Sequence, residues 1–323
     1  MDFVTRVRNA DPIALLIAVM GVFTLVYLVM FIRAMVRDAR SGGSVRSPLL
    51  VWPVSFVANF FDTLGVGSYA TTTAMVRFFK LIPDEKIPGS LNVGYVLPTV
   101  TEAFLFIYGF RGLITVEPVQ VDPRTLISLI AAAILGAWLG AGVVSSWPRR
   151  KIQVGMGLCL LAAAIIMVVR MTVFHSLTVG TTSLEGARWI IGMGGLFILG
   201  ALMTLGIGLY APCLILISAL GMTEKSAFPI MMGACAFLMP VAVVRFIRAR
   251  AYHTPAMIGM AIAGIPAVVL AVKGVGNLPM NYVKVLVICV VTYTAISMLR
   301  AAQRERDLAS AATAAEAGAQ PTA

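Results

Sequence analysis

Two short segments of the chain carry residues suited to gripping a small anion. Residues 63–70 read Thr-Leu-Gly-Val-Gly-Ser-Tyr-Ala, and residues 204–211 read Thr-Leu-Gly-Ile-Gly-Leu-Tyr-Ala, identical at six of eight positions. Each sets paired glycines inside an apolar stretch: Gly65 and Gly67 in the first, Gly206 and Gly208 in the second. Glycine at that density favours an unwound backbone over continuous helix. A helix restarting after such a break turns free N–H groups and the positive end of its dipole into the protein. That arrangement binds oxyanions without a buried cation. Hydroxyls flank both breaks: Thr63, Ser68, Tyr69, Thr71, Thr72 and Thr73 at the first, Thr204 and Tyr210 at the second. The competing reading is that the glycines allow close helix packing and the hydroxyls bond backbone carbonyls.

Two acids, Asp62 and Glu102, fall inside apolar segments, where a carboxyl group is expensive and usually functional. Asp62 directly precedes the first break, so it is a candidate for proton coupling or for capping the freed backbone. Its counterpart in the second copy is Met203, which is apolar, so the two copies differ chemically. Glu102 follows Pro98 within a span; it is a second candidate for proton coupling, and a basic group is its expected partner. Asn92 and Asn59 are candidate site-lining amides, with Tyr95 and Cys213 as weaker candidates. Gly136 and Gly140 have the spacing of a helix-packing face.

These residues must be positioned inside a bilayer. Of 323 residues, 59% are hydrophobic and 12% are charged, and mean hydropathy is +0.94. Too few polar residues remain to cover a soluble surface, which excludes a soluble enzyme, a nucleic-acid-binding domain and a disordered chain. The net charge of +11 comes from basic residues between apolar runs, as the positive-inside rule requires, so no nucleic-acid partner is implied. Apolar runs of span length lie at 12–33, 90–110, 124–147, 152–171, 226–246, 255–272 and 281–300. The regions 48–80 and 189–220 are too long for one upright span, and each is broken near its middle by the paired glycines. The first run is followed by Arg33, Arg37, Arg40 and Arg46 and reads as a retained span rather than a cleaved signal.

The likeness of the breaks extends outward. Glu85-Lys86 answers Glu224-Lys225, Pro88 answers Pro229, Pro98 answers Pro240 and Pro148 answers Pro279. The expected organisation is an N-terminal span and basic loop (1–47), a first repeat (48–171), a linker (172–188), a second repeat (189–300) and a disordered tail (301–323). Each long region is either a single broken span or a re-entrant hairpin. As hairpins, they bring the basic clusters Arg33–Arg46, Arg77–Lys86, Arg149–Lys151, Arg245–Arg250 and Arg300–Arg306 to one side. The second repeat is then inverted relative to the first, a common secondary-transporter design. The expected fold is therefore an all-α polytopic membrane protein. It holds two inverted repeats, each a broken or re-entrant helical hairpin plus three spans, behind one extra N-terminal span. On this count the N-terminus is expected outside and the C-terminus on the cytoplasmic side of the membrane.

Other chemistries find little support. Cys159, Cys213, Cys235 and Cys289 lie in apolar stretches without C-x-x-C spacing, and His175 and His253 stand alone, so no metal site, cofactor or disulfide framework is expected. An intramembrane hydrolase needs a Ser–His pair or two aspartates at one depth, so an enzyme is not expected. No Walker A lysine motif occurs. The partners expected are the lipid bilayer and a small anion, with homo-oligomer formation left open.

The pattern resembles the TauE/SafE-type sulfite exporter family, also called the toluene-sulfonate-uptake permease family. It is carried by Gly65-Val-Gly67 with Glu85-Lys86 and Gly89-Ser90-Leu91-Asn92, and by Gly206-Ile-Gly208-Leu-Tyr-Ala-Pro212 with Glu224-Lys225 and Gly233-Ala234. It spans about residues 48–300. The resemblance implies a permease for small sulfur-containing anions such as sulfite or organosulfonates; without a Walker A motif, the proton gradient is the expected drive. The expected substrate site is Thr63, Gly65, Gly67, Ser68, Tyr69, Thr71, Asn92, Thr204, Gly206, Gly208 and Tyr210, with Asp62 and Glu102 for proton coupling. The alternative is an anion channel or a transporter of another small carboxylate or organic anion.

Overall fold

The structure is a computed structural model. It describes residues 12–42, 46–64, 67–83, 86–108, 121–144, 180–203 and 208–275, with isolated helical positions between 150 and 168 and between 285 and 307. The expected spans 152–171 and 281–300 lie largely outside the described residues, as do most of the linker and the tail. Among the described residues there are ten helices: α1 (Pro12–Arg40), α2 (Val51–Thr63), α3 (Ser68–Phe78), α4 (Ile87–Gly94), α5 (Val96–Tyr108), α6 (Pro123–Val144), α7 (Gly186–Met203), α8 (Tyr210–Ala219), α9 (Glu224–Ala249) and α10 (Thr254–Val275). Four of them, α1, α7, α9 and α10, contain stretches long and apolar enough to cross a bilayer, and the bent pair α4–α5 counts as a fifth. The protein is thus an all-helical, multi-pass membrane protein.

The sequence predicts one span over 90–110, and the structure divides it. A 42° bend separates α4 from α5 at Tyr95. Pro98 falls in the first turn of α5, where its missing N–H costs nothing. Pro229 and Pro240 lie inside α9, which nonetheless runs unbroken. This helix is the core of the molecule: its span window is 89% buried. It packs against α1, α4, α5, α6 and α8.

The broken regions pack crosswise. In the first, α2 lies along α10; in the second, α7 lies along α6. Small residues let these backbones close. A Cβ on Gly136 would sit 2.6 Å from the carbonyl carbon of Phe197, and one on Gly200 would sit 2.9 Å from that of Ala133. Under the repeat expected from the sequence, α2 corresponds to α7 and α6 to α10, which would make the two contacts counterparts of each other.

Helix α1 lies outside this core. Met20, Tyr27, Phe31 and Ala34 form its buried stripe, while Val22, Leu25, Val26 and Ile32 face outward, as suits lipid. Its polar anchors are specific. The Tyr27 hydroxyl donates to the Val93 carbonyl at 2.8 Å. At its C-terminal end the Arg37 guanidinium donates to the Tyr252 hydroxyl at 2.6 Å, and the Thr254 hydroxyl donates to Asp38.

Candidate functional site

At the first break, α2 ends at Thr63 and α3 begins at Ser68. Gly67 has φ +88°, a left-handed conformation that a residue with a Cβ rarely adopts. That turn brings the start of α3 back onto the last turn of α2. The Ser68 N–H donates to Asp62 Oδ1 at 2.7 Å, and the Ser68 hydroxyl donates to Asp62 Oδ2 at 3.0 Å. The carboxylate thus sits on the positive end of α3, where both the free N–H and the helix dipole favour it.

Among the described residues, the second break shows no such closure. Met203 stands in the place of Asp62, and the residue before α8, Leu209, makes no side-chain cap hydrogen bond. The first helical bond of α8 runs from the Cys213 N–H to the Leu209 carbonyl at 2.9 Å. The N–H groups of Tyr210 and Ala211 precede it and have no partner within the helix. Pro212 has no N–H to satisfy.

The two breaks meet. A Cβ on Gly67 would lie 4.0 Å from the Tyr210 Cβ, and one on Gly208 would lie 3.9 Å from the Tyr69 Cβ. Each glycine therefore faces the tyrosine of the other copy. Between them lies a cavity of about 10 Å³, room for a single water. Asp62, Gly67, Ser68, Tyr69, Gly208 and Tyr210 line it, together with Thr99, Met203, Leu209, Cys235 and Met239. Tyr69 is 5% exposed, and its hydroxyl has no hydrogen-bond partner among the described residues. An unpaired buried hydroxyl is a standing cost that a ligand oxygen would relieve.

Glu102 lies beside the cavity and is fully buried. The sequence predicts a basic partner for it; the structure gives it hydroxyls instead. Tyr210 donates to Oε2 at 2.6 Å, and Thr63 Oγ1 lies 2.7 Å from Oε1. Tyr210 therefore links the second break to an acid of the first half.

The remaining candidates divide. Thr71 bonds to the carbonyl of Ser68 in its own helix and to that of Gly67 just before it. Asn92 donates to the Pro88 carbonyl, and its Oδ1 is buried without a partner. Thr63, Thr71 and Asn92 are not among the residues lining the cavity. Thr72 pairs with the Tyr95 hydroxyl at 2.8 Å, and Asn59 bonds to Ser55. Gly65, Thr204 and Gly206 lie outside the described residues. Thr99, Cys235 and Met239 are cavity residues that sequence reasoning missed. The matched pair Pro98 and Pro240 was the available signal, because Thr99 and Met239 are their immediate neighbours. Among the described residues no cluster of His, Cys, Asp or Glu could hold a metal ion.

Comparison with known proteins adds one finding. Residues 117–298, more than half of the chain, match the family described as Sulfite exporter TauE/SafE. The matched stretch is narrower than the resemblance over 48–300: it contains the second break and begins after the first. No curated protein and no solved structure matched the chain. An all-helical, multi-pass core and a match through the whole second broken region lead to the same place: the chain belongs to the Sulfite exporter TauE/SafE family of membrane transporters.

Proposed function

We propose that this protein is a proton-coupled secondary transporter of small sulfur-containing anions, sulfite or organosulfonates, and that the anion is held between the two helix breaks. The observation carrying this reading is the reciprocal seating of Gly67 on Tyr210 and Gly208 on Tyr69 around one buried cavity. The open end of α8 supplies backbone N–H groups, and the unpartnered Tyr69 hydroxyl supplies a further donor. Together they suit an oxyanion. The cavity holds about one water, and sulfite has four heavy atoms, so loading requires the breaks to part. Movement of one broken region against the other around a fixed site is the usual route to alternating access.

The same reading takes the halves, 48–171 and 189–300, as inverted repeats. The counterpart contacts of α2 with α10 and of α7 with α6 support it. It places the protein in a bacterial inner membrane with the C-terminus cytoplasmic. The test is flux into proteoliposomes of purified protein, with labelled sulfite, an alkyl sulfonate and a carboxylate. The expected result is saturable sulfur-anion flux that an imposed pH gradient accelerates. No saturable flux of any of the three would sink the proposal.

A further inference from the structure

We infer that the two buried carboxyl groups have separate jobs: Glu102 is a neutral acid that carries the coupled proton, and Asp62 is a fixed carboxylate that holds the first break closed. The assignment rests on the transport reading above and follows from counting hydrogens. Thr63 Oγ1 lies 2.8 Å from the Asn59 carbonyl and 2.7 Å from Glu102 Oε1. The hydroxyl has one hydrogen, and a carbonyl can only accept. When Thr63 donates to Asn59, its lone pairs face Oε1, and the hydrogen between them belongs to Glu102. Tyr210 meanwhile donates to Oε2. All three groups are then satisfied.

Asp62 has the opposite environment. Oδ1 faces a backbone N–H, which can only donate, and both oxygens sit at the positive end of α3. Among the described residues, the titratable groups that interact with Glu102 are Asp62 on α2, Tyr210 on α8 and Cys235 on α9. None is a cation, so ionising both carboxyls would place two like charges side by side in a buried site. When the breaks part and water reaches the site, Oε1–H gives its proton to that water. Glu102 is left ionised, accepting from Tyr210 and from Thr63, whose single hydrogen turns from the Asn59 carbonyl to Oε1; reloading reverses the step.

Infrared spectroscopy of the purified protein at neutral pH tests this directly. The expected wild-type spectrum contains the C=O stretch of a buried protonated carboxyl. E102Q should remove that band, and D62N should leave it. T63V, which keeps side-chain size but removes the acceptor, should shift the band to higher frequency. The shift keeps the test alive if E102Q fails to fold. A band that is absent from wild type, survives E102Q, is lost in D62N or ignores T63V overturns the assignment. Such a result alongside intact sulfur-anion flux would sink the assignment alone. The expected bands with no flux would sink the transport reading alone.

Discussion

The two breaks are near copies in sequence, yet they present different helix ends to the same cavity. At the first, Asp62 accepts two hydrogen bonds from Ser68 and neutralises the start of α3. At the second, Met203 occupies the equivalent place, and α8 begins without a side-chain cap. On the proposed reading, the two breaks offer an anion two helix ends, and the Asp62 carboxyl group occupies one of them. Two open ends would hold an anion symmetrically and tightly. On the proposed reading, one open end beside the Asp62 carboxylate would give the site a direction and keep binding weak enough for release.

Changes at these positions should break or sharpen that contrast. The largest effect is expected from Gly208→Leu, whose side chain would push into Tyr69 across the cavity and hold the breaks apart. Flux in proteoliposomes should fall at least a hundredfold. Met203→Asp gives the second break the carboxylate of the first. It should cap α8, repel the anion and weaken saturable uptake by about thirtyfold to a hundredfold, in line with the ~1.5–3 kcal/mol of hydrogen bonds to charged groups. If M203D leaves uptake unchanged, the open end of α8 does not bind the anion. Tyr69→Phe removes a hydroxyl that has no partner among the described residues. Apparent affinity should drop about tenfold with no loss of thermal stability; a lower melting temperature with unchanged affinity would assign the hydroxyl a structural role. Asp62→Ala should act mostly on stability, by about 1–2 kcal/mol for a lost helix cap, with Asp62→Asn much milder. Equal melting temperatures for D62A and wild type would remove the cap from the account.

Much of this was legible beforehand, and for identifiable reasons. The breaks declared themselves because paired glycines inside an over-long apolar run have few other uses, and because they occur twice. Asp62 stood out as an acid where acids are costly. Its partner did not, since Ser68 reaches it only after the chain turns through Gly67 at positive φ. The partner of Glu102 differs from the expected cation for a related reason. A buried acid suggests a nearby cation, but Tyr210 lies 108 residues away and arrives through the meeting of the two breaks. Met203, Cys235 and Met239 were invisible as site residues. A helix such as α9, buried on nearly all sides, has no polar face whose periodicity would mark the side turned to a cavity. The bend at Tyr95 was signalled by Pro98 but does not follow from it, since Pro240 sits in an unbroken helix.

The central claim is that one anion binds between the breaks, on the α8 side. Selenite has the shape and charge of sulfite and a strongly scattering centre, so its anomalous signal in crystals of the protein locates the site directly. The account expects one dominant peak between the start of α8 at Gly208–Tyr210 and the Tyr69 hydroxyl. A peak at the α3 start beside Ser68, or no peak between the breaks under conditions that support sulfite flux, would contradict it.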